Sequence, residues 1–134
     1  MPKLTSVRPM FYTSDFEGTL AFYTDILGFK LEVRLDEFGW ADLSRDRIEV
    51  MIAKPNEHMP FEKAAFTGSI YFIVEDVDAL WDELKDKAKV CYPVETFSYG
   101  MREFAIFDNN GYLLQFGQPV ESGSSNASLL SSNL

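Results

Sequence analysis

The sequence states one structural pattern twice. Ser14-Asp15-Phe16-Glu17 returns 61 residues later as Glu75-Asp76-Val77-Asp78, each time opening an amphipathic helical run. An aspartate in that place accepts hydrogen bonds from the free N–H groups of a first helical turn, which makes Asp15 and Asp76 candidate N-caps. In the first helix Phe16, Leu20, Tyr23 and Leu27 recur at the spacing of one face, and Gly28 follows as a stop. In the second, Val77, Leu80, Trp81, Leu84 and Ala88 share a face. A β-rich run precedes each cap, at residues 7–13 and 69–74. Three short runs follow each helix: 29–35, 40–44 and 48–54 in the first half, then 90–92, 102–107 and 113–117 in the second. The turns at 36–39, 45–47 and Asp108-Asn109-Asn110-Gly111 are short enough for antiparallel pairing. The order is strand, helix, three strands, stated twice. Two copies are too few for a solenoid, so the expectation is an α+β fold of two βαβββ modules in tandem.

The 134 residues suit one domain, expected over residues 1–120 and built from repeats 7–54 and 69–118. From residue 121 Ser, Asn and Gly dominate, and a flexible tail is expected there. A hydrophobic share of 46% is enough to bury a core. The 21 acidic residues outnumber 12 Lys and Arg, for a net charge of −9. That surface repels polyanions, so no nucleic-acid partner is expected, and it suits a cationic or planar organic ligand. Aromatics are abundant: 12 Phe, 6 Tyr and 2 Trp supply stacking surfaces as well as core. Cys91 is the sole cysteine; it excludes an internal disulfide, and its place in a short strand reads as structural. No apolar run reaches bilayer-spanning length and the first residues lack a signal-peptide core, so the expectation is a cytoplasmic protein with no membrane partner. The sole histidine, His58, lies in a Pro-flanked polar loop and reads as solvated. No nucleophile–base pairing is visible, and no catalytic residue is assigned.

Ala21-Phe22-Tyr23 followed by Leu27-Gly28-Phe29, and Arg102-Glu103-Phe104-Ala105 followed by Asp108 and Gly111, carry a family resemblance. Together with the duplicated βαβββ order they resemble the vicinal-oxygen-chelate superfamily, which holds glyoxalase, fosfomycin-resistance enzymes, extradiol dioxygenases and bleomycin-resistance proteins. The resemblance runs from residue 7 to about 118 and is nearest the bleomycin-resistance and glyoxalase-like branch. It implies a curled mixed sheet around a cleft, with the helices outside, and a homodimer. Metal-dependent members carry ligands at positions that the resemblance places at Arg8, Glu49, Ser69 and Gln115. A guanidinium is a permanent cation and cannot ligate, so no metal or other cofactor is expected, and Arg8 and Glu49 are expected to pair.

Strand parity sorts the faces. Val7, Pro9, Phe11 and Thr13 share one side of the first strand, and Arg8, Met10 and Tyr12 the other. Ile70, Phe72 and Val74 should meet the second helix, leaving Ser69, Tyr71 and Ile73 toward the cleft. The seventh strand stays open, because Arg102 and Glu103 alternate with apolar residues. The ligand-binding candidates are Arg8, Phe38, Trp40, Glu49, Met51, Tyr71, Tyr99, Phe107 and Gln115. Two functional readings with a bound small molecule follow. One is a metal-independent binder that sequesters a cationic or planar aromatic small molecule. The other is a glyoxalase-like lyase or isomerase with a degenerate or displaced metal site, for which Glu49 and Gln115 speak. A third is a scaffold copy without a ligand.

Overall fold

Asp15 and Asp76 cap their helices: their carboxylates accept from the N–H groups of Gly18 at 3.0 Å and Ala79 at 3.1 Å. The structure, a computed structural model, describes residues 1–57 and 60–120. His58 and the expected tail at 121–134 lie outside the described residues. The elements run β1 (Met10–Tyr12), α1 (Phe16–Ala21), β2 (Lys30–Leu35), β3 (Trp40–Arg45) and β4 (Ile48–Ala53) in the first module. The second holds β5 (Ile70–Ile73), α2 (Val77–Leu84), β6 (Lys89–Thr96), β7 (Met101–Phe107) and β8 (Leu113–Pro119). These are the two expected βαβββ modules. The chain divides after Ala64 into two compact units, one module in each.

Each module folds its strands into a four-stranded open sheet, β1-β4-β3-β2 in the first and β5-β8-β7-β6 in the second. The module's first strand runs parallel to its last, and the other pairs are antiparallel. Strand β1 is shorter than the β-rich run around it. Pro9 has no N–H for a ladder, although its carbonyl accepts from Met51 N–H at 2.8 Å. Strand β6 is longer than expected and passes through Pro93, which an edge strand tolerates. Irregularities between Val90 and Tyr92 disturb its register. Cys91 stands within that bulge and is exposed, so it does not pack as a core thiol.

The first helix departs from a regular α-helix. After Ala21 it widens into a π turn over Phe22–Ile26, where Leu27 N–H donates to the Phe22 carbonyl at 3.1 Å. The expected face of Phe16, Leu20, Tyr23 and Leu27 is buried. Regular α periodicity leaves Phe22 off that face, yet it is buried as well, with its ring 5.7 Å from that of Tyr23. Gly28 ends the segment at φ +73°, a conformation that costs a glycine little.

Each sheet turns its apolar side to its helix. In the second module Phe72 stacks on Phe116 at 5.0 Å, Phe116 on Phe104 at 5.2 Å, and Trp81 of α2 meets Phe104 at 5.3 Å. Burying the fully enclosed Phe104 ring is worth about 1.5–3 kcal/mol. Ion pairs tie both helices to their sheets: Arg34 binds Glu17, and Arg102 binds Asp78 at 2.9 Å. Among the described residues no helix is long and apolar enough to cross a membrane.

Candidate functional site

Because Phe104 and Phe116 face α2, strand alternation sends Glu103, Ala105, Gln115 and Gly117 to the opposite side. This settles the face of the seventh strand that the sequence left open. Glu103 is 1% exposed, and three phenols converge on it. Tyr71 Oη donates to Glu103 at 2.9 Å, Tyr99 Oη at 2.6 Å, and Tyr92 Oη also donates to it. Gln115 Nε2 lies 3.5 Å from the same carboxylate and donates to Tyr92 Oη at 2.8 Å. Ser69 Oγ donates to Gln115 Oε1.

The donor directions follow from the chemistry. A carboxylate only accepts, so Tyr92 spends its proton on Glu103 and receives Gln115 Nε2 on a lone pair. Gln115 must then turn its carbonyl to Ser69. Close approach makes the arrangement possible. Gly117 is the Cα partner of Glu103, and a Cβ there would collide with the Tyr71 hydroxyl. Burial and the bond to Glu103 push the Tyr92 phenol up to about 12, from an ordinary value near 10. The same two causes raise Tyr71 and Tyr99. Phe97 stacks on Tyr99 at 5.4 Å and meets the Tyr92 ring edge-on at 5.7 Å.

The corresponding face of the first module carries the expected ion pair, with Arg8 Nε 2.8 Å from Glu49 Oε2. Met51, two residues on, pairs with Met10 and with Asp42. Trp40, half-buried, shares this face and pairs with Ala53 and Leu35. Phe38 lies in the short helical turn Asp36–Phe38 before Gly39 and is 73% exposed. Phe107 sits at the far end of β7 from Glu103 with Lys89 Nζ 5.5 Å from its ring centre. Beside it is an open recess of about 380 Å³, lined by Lys89, Phe107 and the Asp108–Gly111 turn. Of the sequence candidates, therefore, Tyr71, Tyr99 and Gln115 meet around Glu103, and Arg8 meets Glu49. Within the second module Phe107, at the other end of β7, stands apart from the Glu103 group.

Sequence reasoning missed Glu103, Tyr92 and Asp42. For Glu103 a signal was present: its strand is apolar on both parities except at Arg102 and Glu103, so one of the two had to be buried or paired at the sheet.

The donor set does not fit a divalent metal. Catalytic sites of this kind use about three ligands drawn from imidazole, carboxylate and thiolate. Here Arg8 is a cation already on Glu49, while Gln115 is engaged by Ser69 and Tyr92. Among the described residues no three His, Cys, Asp or Glu side chains form a group able to hold a metal ion.

Residues 5–116 match the sequence model of the Glyoxalase/Bleomycin resistance protein/Dioxygenase superfamily. The chain belongs to that superfamily. Solved structures agree in fold. A glyoxalase/bleomycin resistance protein/dioxygenase from Nocardioides superposes with a TM-score of 0.74 at 17% identity, covering 92% of this chain and 89% of its own. A lactoylglutathione lyase from Agrobacterium tumefaciens gives 0.68 at 19% identity, over 88% and 96%. TioX from Micromonospora sp. ML1 gives 0.68 at 19%, over 86% and 100%. A search of curated proteins finds no match. At these identities the likeness establishes the fold alone.

Proposed function

We propose that this superfamily member is a metal-independent small-molecule binding protein that holds a cationic or planar aromatic ligand against the sheet faces turned away from its helices. One observation carries the reading: the side chains at the family's ligand positions are spent on one another and on Tyr92, as Arg8–Glu49 and as Ser69–Gln115–Tyr92. What remains on those faces is aromatic, thioether and carboxylate, which suits stacking and cation recognition. The net charge of −9 adds a long-range bias toward cations. A homodimer belongs to the same proposal. Strand β2 is a sheet edge exposed along its whole length, with Leu31 37% and Leu35 38% exposed. Such a row is a ready interface.

Elemental analysis of protein purified without chelator tests the central point. A stoichiometric divalent metal overturns the binder and restores the lyase or isomerase reading. Bleomycin titrated into the protein should quench tryptophan emission at about one equivalent per chain, following from the aromatic faces. No response at millimolar ligand removes that drug as a model ligand. Sedimentation equilibrium decides the dimer.

A further inference from the structure

The helix caps stand 61 residues apart, and so do two buried carboxylates, Asp42 and Glu103. Both lie on the third strand of their module, on the face away from the helix. Asp42 pairs with Met51, two residues after Glu49; Glu103 pairs with Gly117, two after Gln115. They are one structural position, occupied twice, and their surroundings differ sharply.

Glu103 shows what a carboxylate at this position receives when the chain satisfies it: three phenolic hydroxyls. Asp42 is 7% exposed, and its Oδ1 is buried with no hydrogen-bond partner among the described residues. Met10 stands 61 residues before Tyr71 and offers a thioether where Tyr71 offers an O–H. Met51 fills the place of Gly117. Across the sheet the row reads Met10, Met51, Asp42, Val33, with Met10 and Val33 each 42% exposed. Neighbouring groups on this face are already engaged: Arg8 with Glu49 at 2.8 Å, and Ser44 Oγ with Glu32 at 2.8 Å. A buried carboxylate oxygen without a donor is costly. A group that supplies a positively charged N–H together with apolar surface satisfies both the oxygen and the row around it.

We propose that Asp42 anchors the cationic N–H group of an organic ligand, an ammonium or amidinium, whose apolar body lies over Met10, Met51 and Val33. This rests on the small-molecule binding reading and names its ligand class and contact atom. Glu103, its counterpart, is the internally satisfied copy and serves structure.

Benzamidine is a suitable probe, and neutral benzamide its uncharged counterpart. Protein labelled with ¹³C at the methionine methyls reports directly on Met10 and Met51. Benzamidine should shift both resonances saturably, with benzamide at least about tenfold weaker, as loss of a charged hydrogen bond implies. Asp42→Asn, isosteric and uncharged, should weaken benzamidine about tenfold or more by the same reasoning. Asp42→Leu should abolish that preference and raise the urea midpoint, because it removes a buried, unsatisfied charge. Equal binding of the two probes, or unchanged binding by Asp42→Asn, overturns the anchor while leaving a small-molecule binder standing. Unshifted methyls in the wild type overturn the anchor too, and the elemental analysis then decides the broader reading separately. A lowered midpoint for Asp42→Leu also counts against it, since it means the carboxylate already has a stabilising role within the chain.

Discussion

Glu103→Ala is the perturbation whose cost can be worked most directly from the geometry. The side chain is buried and accepts from Tyr71, Tyr92 and Tyr99. Tyr71 and Tyr99 are 39% and 49% exposed, so without Glu103 their hydroxyls turn to water. That exchange costs about 0.5 kcal/mol each. Tyr92 is less exposed and loses a charge-assisted bond worth about 1.5–3 kcal/mol. The one deleted methylene, Cγ, adds about 0.8 kcal/mol. Removing a buried charge returns about 1–2 kcal/mol of desolvation. The net expectation is a loss of about 2.5 kcal/mol, against about 1–1.5 for Glu103→Gln, which keeps the shape and one acceptor oxygen. Urea unfolding measures it. Trp81 packs on Phe104, behind the same strand, and a Trp40→Phe background isolates its emission. The midpoint should move at constant slope. A change below about 0.5 kcal/mol for Glu103→Ala, or equal losses for Ala and Gln, refutes the reasoning that the carboxylate is the hub of this face.

Three further outcomes follow from the same structure. In Gly117→Ala the new methyl displaces the Tyr71 hydroxyl from Glu103, for about 0.5–1 kcal/mol, and a double-mutant cycle should show the cost vanish in a Tyr71→Ala background. The raised phenols hold their protons more tightly folded than unfolded, so stability is intact below pH 10 and falls as pH rises toward about 12, where Tyr92 ionises in the folded chain. The slope reaches at most about 1.4 kcal/mol per pH unit per phenol, and a midpoint flat across that window contradicts the assignment. Asp15→Ala and Asp76→Ala each remove a cap and should cost about 1 kcal/mol in urea unfolding, with Asn restoring most of it.

The fold was legible because its signals are local and repeated. Asp caps, apolar helix faces and short turns name βαβββ twice, and strand parity places Phe72 against the helix and Tyr71 away from it. The Arg8–Glu49 pair was legible too, since a guanidinium among ligand positions has one sensible partner. The hub was less so. Tyr92 reaches Glu103 across strand pairing disturbed by bulges at both Val90/Tyr92 and Tyr92/Glu95, and no alternation rule counts through two register shifts. Phe22 was hidden for a similar reason: a π turn adds a residue that regular helical periodicity does not anticipate. Asp42 gave no signal, because an aspartate in a strand looks the same in sequence whether it meets water, a partner or neither.

The duplication makes the comparison between modules more informative than either alone. Both copies keep a carboxylate on the third strand, yet only the second surrounds it with donors. Had the position been purely structural, the first module's Asp42 would be better as an apolar residue, since buried charge without partners is a net cost. Had it been a metal position, a second and third anionic or imidazole ligand would stand beside it, and its sheet neighbours are Met51 and Val33. A lone anion set among thioether and branched aliphatic side chains is matched by a cation that carries its own hydrophobic surface. Phenols on Asp42, like those on Glu103, would satisfy the carboxylate from within the chain and leave it no need of a ligand's N–H.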